Sequence, residues 1–213
     1  MHRKLPVYLL LDTSGSMAGE PIEAVKNGVQ LLASTLRQDP HALETAYLSI
    51  IGFGSTASVL VPLSELSLFQ PPALAASGTT SMGEALRLLA TQIDQEVNRT
   101  TADTKGDWKP LIFIMTDGLP TDNWRSGIDE LRKRKVGTIV ACAAGQQCDF
   151  SILKQITEVV VALDTADSST IAAFFKWVSA SISTGSQKID SGGKEVSGID
   201  DLPPPPKEIN LVV

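Results

Sequence analysis

Apolar and polar positions change period repeatedly along the chain. Residues 6–11, 46–53, 111–116, 136–143 and 159–163 are short apolar runs rich in Val, Ile, Leu and Ala. They show little polar alternation, so each predicts a strand buried on both faces of a sheet. Between them the apolar residues recur three or four apart. Ile22, Val25, Val29, Leu32 and Leu36 mark a helix over 21–37, with Pro21 suited to its first turn. Leu86, Leu89, Ile93 and Val97 mark a second helix, and 124–135 and 150–157 predict two more. Ile171, Phe174, Phe175, Val178 and Ile182 mark the last helix face. Residues 57–63 form a further strand, joined to 46–53 by a short Gly-Ser-Thr link that reads as a hairpin. Strands alternating with helices imply parallel crossovers. The prediction is a doubly wound α/β fold: a mostly parallel central sheet, one antiparallel edge strand, and helices on both faces.

In such sheets ligands sit beyond the carboxyl ends of the strands. Three segments could meet there. The first strand runs into Asp12-Thr13-Ser14-Gly15-Ser16, where one carboxylate and two hydroxyls alternate. The strand over 111–116 runs into Asp117-Gly118. Between them, Gly78-Thr79-Thr80-Ser81 opens a helix. Hard oxygen donors on short turns suit a hard divalent cation. Each segment also has a plain reading, because Asp, Ser and Thr cap helices well. Thr79 and Thr80 could cap the helix near Met82, and Asp122 reads as the N-cap of the helix at Trp124 rather than a ligand.

Length and composition narrow the choice. The 213 residues, 43% of them hydrophobic, suit one domain with a tail. The pattern stops near Gly185, giving a domain over 1–184 and a flexible Ser/Gly/Pro-rich tail over 185–213 with a polyproline II segment at Pro203–Pro206. Net charge is -6, which argues against nucleic acid as the main partner. The dense basic run Arg132-Lys133-Arg134-Lys135 reads as a solvated helix C-terminus. Cys142 and Cys148 form no metal-type spacing, and Cys142 sits in an apolar run as an inert thiol. The apolar stretch after Lys4 is too short for a membrane span and lacks a small-residue cleavage site. A cytoplasmic protein is the expectation.

The order DxSxS, GTTSMGEAL, MTDGLPTD resembles the von Willebrand factor A (VWA) domain over residues 5–184. The resemblance implies a Rossmann-like fold and a metal-ion-dependent adhesion site. Its ligands would be Asp12, Ser14, Ser16, Thr80 and Asp117. Thr80 lies three residues before Gly83, as in the family's GGTxxG pattern, while Thr79 stands where glycine is more usual. Longer stretches resemble the TerY family of bacterial tellurium-resistance operons: RKLPVYLLLD, DPHALETAYLSIIGF, KGDWKPLIFIMTDGLPTD and ALDTADSSTIAAFFKWVSASIS. That resemblance implies a cytoplasmic interaction module of a tellurite and stress response. Phosphatase-like or kinase-like proteins of the same operon are the implied partners.

Two carboxylates with three hydroxyls leave a bound cation electrophilic and able to keep waters. Mg²⁺ is the first choice, with Ca²⁺ and Mn²⁺ as alternatives, and an Asp or Glu of a partner protein would complete the coordination. Trp108 and Trp124 flank the acidic turn in sequence and are candidate partner anchors, though either could equally be a buried staple. Trp177 reads as packing. Enzyme activity is not expected: a phosphohydrolase of the two-aspartate type would need an acid where Ser14 stands, and there is no GxxxxGK[ST]. Direct metal-assisted capture of an oxyanion such as tellurite is the alternative function.

Overall fold

The computed structural model describes residues 3–145, 148–190 and 198–212. Its centre is a seven-stranded sheet in the order β3-β2-β1-β4-β5-β6-β7. The strands are β1 (Leu5–Asp12), β2 (Ala46–Phe53), β3 (Ala57–Glu65), β4 (Leu111–Thr116), β5 (Ile139–Ala144), β6 (Val159–Leu163) and β7 (Asn210–Leu211). β2, β1, β4, β5 and β6 run parallel, and β3 and β7 close the two edges antiparallel. β1 is buried at every position, as its uninterrupted apolar run demands.

Alternation along β1 divides the core. Leu5, Val7, Leu9 and Leu11 join the layer that includes α1 (Glu20–Leu36) and α6 (Ser168–Asp190). Tyr8 and Leu10 join the layer of α3 (Met82–Glu96), α4 (Trp124–Arg132) and α5 (Phe150–Ile156). α1 and α6 meet where Gly28 leaves room for the Phe175 ring; a Cβ on Gly28 would lie 2.1 Å from a ring carbon.

The structure departs from the sequence pattern in four places. A short helix, α2 (Pro40–Thr45), precedes β2, and Asp39 caps it by accepting from His41 N at 3.0 Å. α4 stops at Arg132, and β5 starts at Ile139 rather than 136. Arg134, beyond the helix end, pairs with both Glu130 of α4 and Asp94 of α3, and Gly137 N bonds Pro110 O at 2.9 Å. The second antiparallel edge, β7, was not foreseen, because two residues carry no periodicity.

The fourth departure concerns the predicted tail. α6 continues through Asp190, and 198–212 lie against the domain. The Trp177 indole N–H donates to Pro203 O at 2.8 Å, and the Lys188 ammonium donates to Asp201 at 2.9 Å. Leu202 and Ile209 are buried, and β7 pairs with β6. A buried indole N–H needs an acceptor, and Pro203 supplies it. Trp177 itself packs, as expected. Residues 191–197 and 213, also part of the predicted tail, lie outside the described residues. Among the described residues no helix is long and apolar enough to cross a membrane.

Candidate functional site

β1 and β4 are neighbours in register, with Leu11 beside Met115, so both chains leave the sheet at the same edge. Asp12 closes β1, and a short 3-10 turn, Gly15–Met17, reverses the chain. Asp12 is fully buried. One of its carboxylate oxygens accepts from Ser14 N at 2.8 Å, and the other from the Thr116 hydroxyl at 2.5 Å. The Ser14 and Ser16 hydroxyls lie 2.9 Å apart, and the Ser16 hydroxyl donates to Asp117 Oδ1 at 2.6 Å. A continuous polar chain therefore links the first and third segments. Ser14 is buried and Ser16 exposed, so the chain leads from the interior to solvent.

Thr80 comes from the second segment and takes no part in that chain. It is 6% exposed. Its position shows in the space over Gly118: a Cβ there would lie 3.8 Å from Ser16 Oγ and 3.9 Å from Thr80 Oγ1. The two hydroxyls thus flank one point above the acidic turn. Backbone bonds fix the loops to one another. Gly15 N bonds Gly78 O at 2.9 Å, Ser77 N bonds Thr13 O at 2.8 Å, and Thr121 N bonds Thr80 O at 2.9 Å. Gly78 has φ +76°, and a Cβ there would fall 2.0 Å from Ser55 Oγ, so glycine is required.

Asp122 has a different role from the one its sequence position suggests. Asn123 caps α4, accepting from Ser126 N at 3.2 Å. Asp122 instead reaches across to α3, accepting from Gly83 N and Glu84 N, each at 2.8 Å. The third segment thereby caps the helix that the second segment opens. Ser81, at the N-cap position itself, has a buried hydroxyl without a partner among the described residues. Asp122→Ala is expected to cost about 1–2 kcal/mol of stability, whereas Ser81→Ala should change it little. Urea unfolding midpoints of the two variants check this; equal midpoints would refute the cross-loop cap. Two glutamates near the loops bind the chain: Glu84 accepts from Ala57 N at 3.1 Å and the exposed Glu20 from Ser168 N at 3.0 Å.

The electrostatics match a cation site. Burial pushes the Asp12 carboxyl upward; hydrogen bonds from Ser14 and Thr116 oppose this, and the charge of Asp117 adds to it. Among the described residues neither Asp12 nor Asp117 has an ion-pair partner. The donors are hard oxygens: two carboxylates and the hydroxyls of Ser14, Ser16 and Thr80. The residues present therefore fit a divalent cation. Among the described residues no group of three or more His, Cys, Asp or Glu side chains gathers. Cys148, which the sequence did not flag, lies nearby with its Sγ 3.1 Å from Thr116 O. Burial, then the charges of Asp117 and Asp12, pushes its thiol up to about 12. Both cysteines are free thiols, and Cys142 is buried as expected.

The tryptophans do not stand as partner anchors beside this site. Trp108 precedes β4, so it lies at the opposite edge of the sheet from Asp117. Its backbone N–H donates to Lys4 O at 2.9 Å, and the Arg3 guanidinium sits 3.7 Å from its ring centroid. Trp124 is 9% exposed and packs in the α3–α4 layer. Its side chain is a staple of that layer, and its Cα abuts the first turn of α3 at Gly83.

A family model described as von Willebrand factor type A domain matches residues 7–176. The chain is similar to an uncharacterized protein of Synechocystis sp., with 31% identity over 146 residues. That match covers 65% of this chain and only 30% of the relative's length. Among solved structures, the pilus adhesin SpaC from Lactobacillus rhamnosus GG, in an open conformation, aligns with a TM-score of 0.68 at 15% identity, over 86% of this chain and 30% of that one. A von Willebrand factor type A protein from Catenulispora acidiphila aligns with a TM-score of 0.63 at 17% identity, over 85% and 43%. Proximal thread matrix protein 1 of the mussel byssus, with a zinc-occupied MIDAS motif, gives 0.59 at 18%, over 84% and 48%. At these identities the structural likenesses bear on the fold alone. The family match, spanning most of the chain from β1 into α6, shows that the protein belongs to the von Willebrand factor type A domain family.

Proposed function

We propose that the chain is a non-enzymatic, metal-dependent protein-binding module. The observation that carries this reading is the polar chain Asp12–Ser14–Ser16–Asp117, which ends at the protein surface beside Thr80. Ser14, Ser16 and Thr80 would hold a divalent cation through their hydroxyls, with Asp12 and Asp117 binding directly or through water. Mg²⁺ is the proposed ion, and the zinc-occupied motif of the mussel protein supports divalent binding on this fold. When bound, the cation supplies an electrophilic position that an Asp or Glu of a partner can complete.

The protein's own residues account for the rest. Thr116 and Ser14 N hold the Asp12 carboxylate in one orientation. Burial keeps that charge from solvent, and the exposed Ser16 leaves the approach open. The finer reading, from the TerY resemblance, is a cytoplasmic module of a tellurite-resistance or stress-response system. Its partners would be phosphatase-like or kinase-like proteins.

A pull-down from tellurite-stressed bacterial lysate tests this, comparing wild type with Asp117→Ala in Mg²⁺ and in EDTA. The expected result is a partner retained by wild type in Mg²⁺ and lost in the other three conditions. Identical partner sets in all four would overturn metal-mediated recognition.

A further inference from the structure

A second cleft lies at the other end of the sheet. It opens beside the starts of β1 and β4, has a volume of about 460 Å³, and is lined by Arg3, Arg99, Lys109, Lys133, Arg134 and Lys135. Among the described residues two carboxylates, Asp94 and Asp107, share the lining. On a chain of net charge -6, this is a concentration of the opposite sign. The apolar part of the wall is Ile93, Val97, Trp108 and Pro110.

Complementing helix C-termini explains only part of this cluster. Lys133 and Arg134 pair with Glu130 on α4, at 2.6 and 3.0 Å. Arg3, Arg99 and Lys109 come from three other places: the segment before β1, the turn after α3, and the approach to β4. The negative features of the cleft are already engaged. Asp107 accepts from Lys4 N at 3.0 Å and Asn98 N at 2.8 Å, and its side chain is 4% exposed. Asp94 accepts from Arg134 at 2.7 Å and Arg99 at 2.8 Å. The carbonyl of Glu96, at the end of α3, accepts from the Lys4 ammonium at 3.4 Å. Arg99 keeps 79% of its side chain in solvent, and Lys135 is exposed.

We propose that this cleft binds a small organic phosphate, with the phosphate oxygens on the Arg99–Lys133–Lys135 rim and an apolar body against Val97, Trp108 and Pro110. A guanidinium fork matches phosphate oxygens in pairs. A concavity of roughly 300–1,000 Å³ suits a small molecule rather than an extended chain; here the charged side chains are mostly cations, which favours an anionic group, and the apolar wall favours an attached apolar body. The basic side chains also explain why Trp108 sits here: Arg3 lies over its ring, and the ring holds that guanidinium at the cleft wall.

Calorimetric titration of the full chain with ADP tests the assignment, in EDTA so that no metal-bridged contact contributes. Pyrophosphate, adenosine, a poly-glutamate peptide and a single-stranded oligonucleotide serve as comparison probes. ADP should bind, and both pyrophosphate and adenosine should bind more weakly, because each lacks one half of the ligand. Arg99→Glu with Lys135→Glu should weaken ADP at least about tenfold, since two rim cations become anions. Circular dichroism of the double variant should match wild type, both side chains being exposed. No ADP binding up to about 1 mM would overturn the proposal. So would ADP binding unchanged in the double variant. Binding of poly-glutamate or the oligonucleotide without ADP would also overturn it, pointing to a macromolecular partner instead.

Discussion

Asp12→Ala is expected to weaken Mg²⁺ binding by at least about 100-fold while leaving the domain folded. The carboxylate is wholly buried and lacks an ion-pair partner among the described residues. Burying an unpaired charge is costly, and that cost offsets what its two hydrogen bonds contribute. Removing it leaves Ser14 N and the Thr116 hydroxyl without their acceptor, a penalty of about 1–3 kcal/mol each. The relief of the charge opposes this penalty, so the metal-free variant stays near wild-type stability. Asp12→Asn keeps an acceptor for Ser14 N and separates loss of charge from loss of shape. The readouts are calorimetric affinity and the shift in melting temperature on adding Mg²⁺. Wild type at 100 times its Kd gains about 2.7 kcal/mol of stability, and both variants should gain no more than about 0.4 kcal/mol at the same concentration. A variant that gains as much as wild type would remove Asp12 from the site.

The parts of this fold visible in the sequence are those where one physical signal dominates. β1 reads as a strand because all eight of its positions are buried and Leu5 to Leu11 carry no charge before Asp12 ends the run. The helix faces of α1 and α6 read from spacing because each packs one side on the sheet. The first site segment reads from the residue types and spacing of Asp12, Ser14 and Ser16, although the 3-10 turn Gly15–Met17, not an extended chain, brings the two hydroxyls together. Asp117 follows from the rule that parallel strands place their ends together; Thr80, on the loop between the antiparallel β3 and α3, reads only from the resemblance to the family's GGTxxG pattern.

Tertiary contact decided what the sequence did not show. Asp122 and Asn123 are both capable N-caps, and only the approach of α3 to α4 assigns Asp122 to the first and Asn123 to the second. β7 exists because Leu211 and Asn210 find the open edge of β6, not because two residues favour a strand. The misplacement of Trp108 was avoidable. A residue before a parallel strand and one after it lie a strand length apart, so Trp108 and Asp117 cannot share a surface across β4. With Trp108 moved to the far edge, the chain carries two chemically different faces: an acidic, hydroxyl-rich one and a basic, partly apolar one.

Gly127→Ala is expected to destabilise the protein by about 2–3 kcal/mol, opposite in sign to the usual effect. In an exposed helix interior, alanine in place of glycine gains about 1 kcal/mol. Gly127 lies inside α4, but a Cβ there would fall 2.5 Å from Gly83 O and 3.0 Å from Gly83 Cα. The facing glycine is equally tight: a Cβ on Gly83 would meet Asn123 O at 2.5 Å and Trp124 Cα at 2.7 Å. These are backbone atoms on both sides, so no side chain can rotate away and the helices must separate. Separation pulls Asp122 from Gly83 N and Glu84 N, and Thr80 rides on the loop those bonds hold. The variant should therefore lose divalent-cation affinity as well as stability, although Gly127 is no ligand. Urea unfolding and Mg²⁺ titration of the same sample read both effects. A stabilised variant would show that the α3–α4 contact is loose, and wild-type affinity in a destabilised one would show that Thr80 is positioned independently of it.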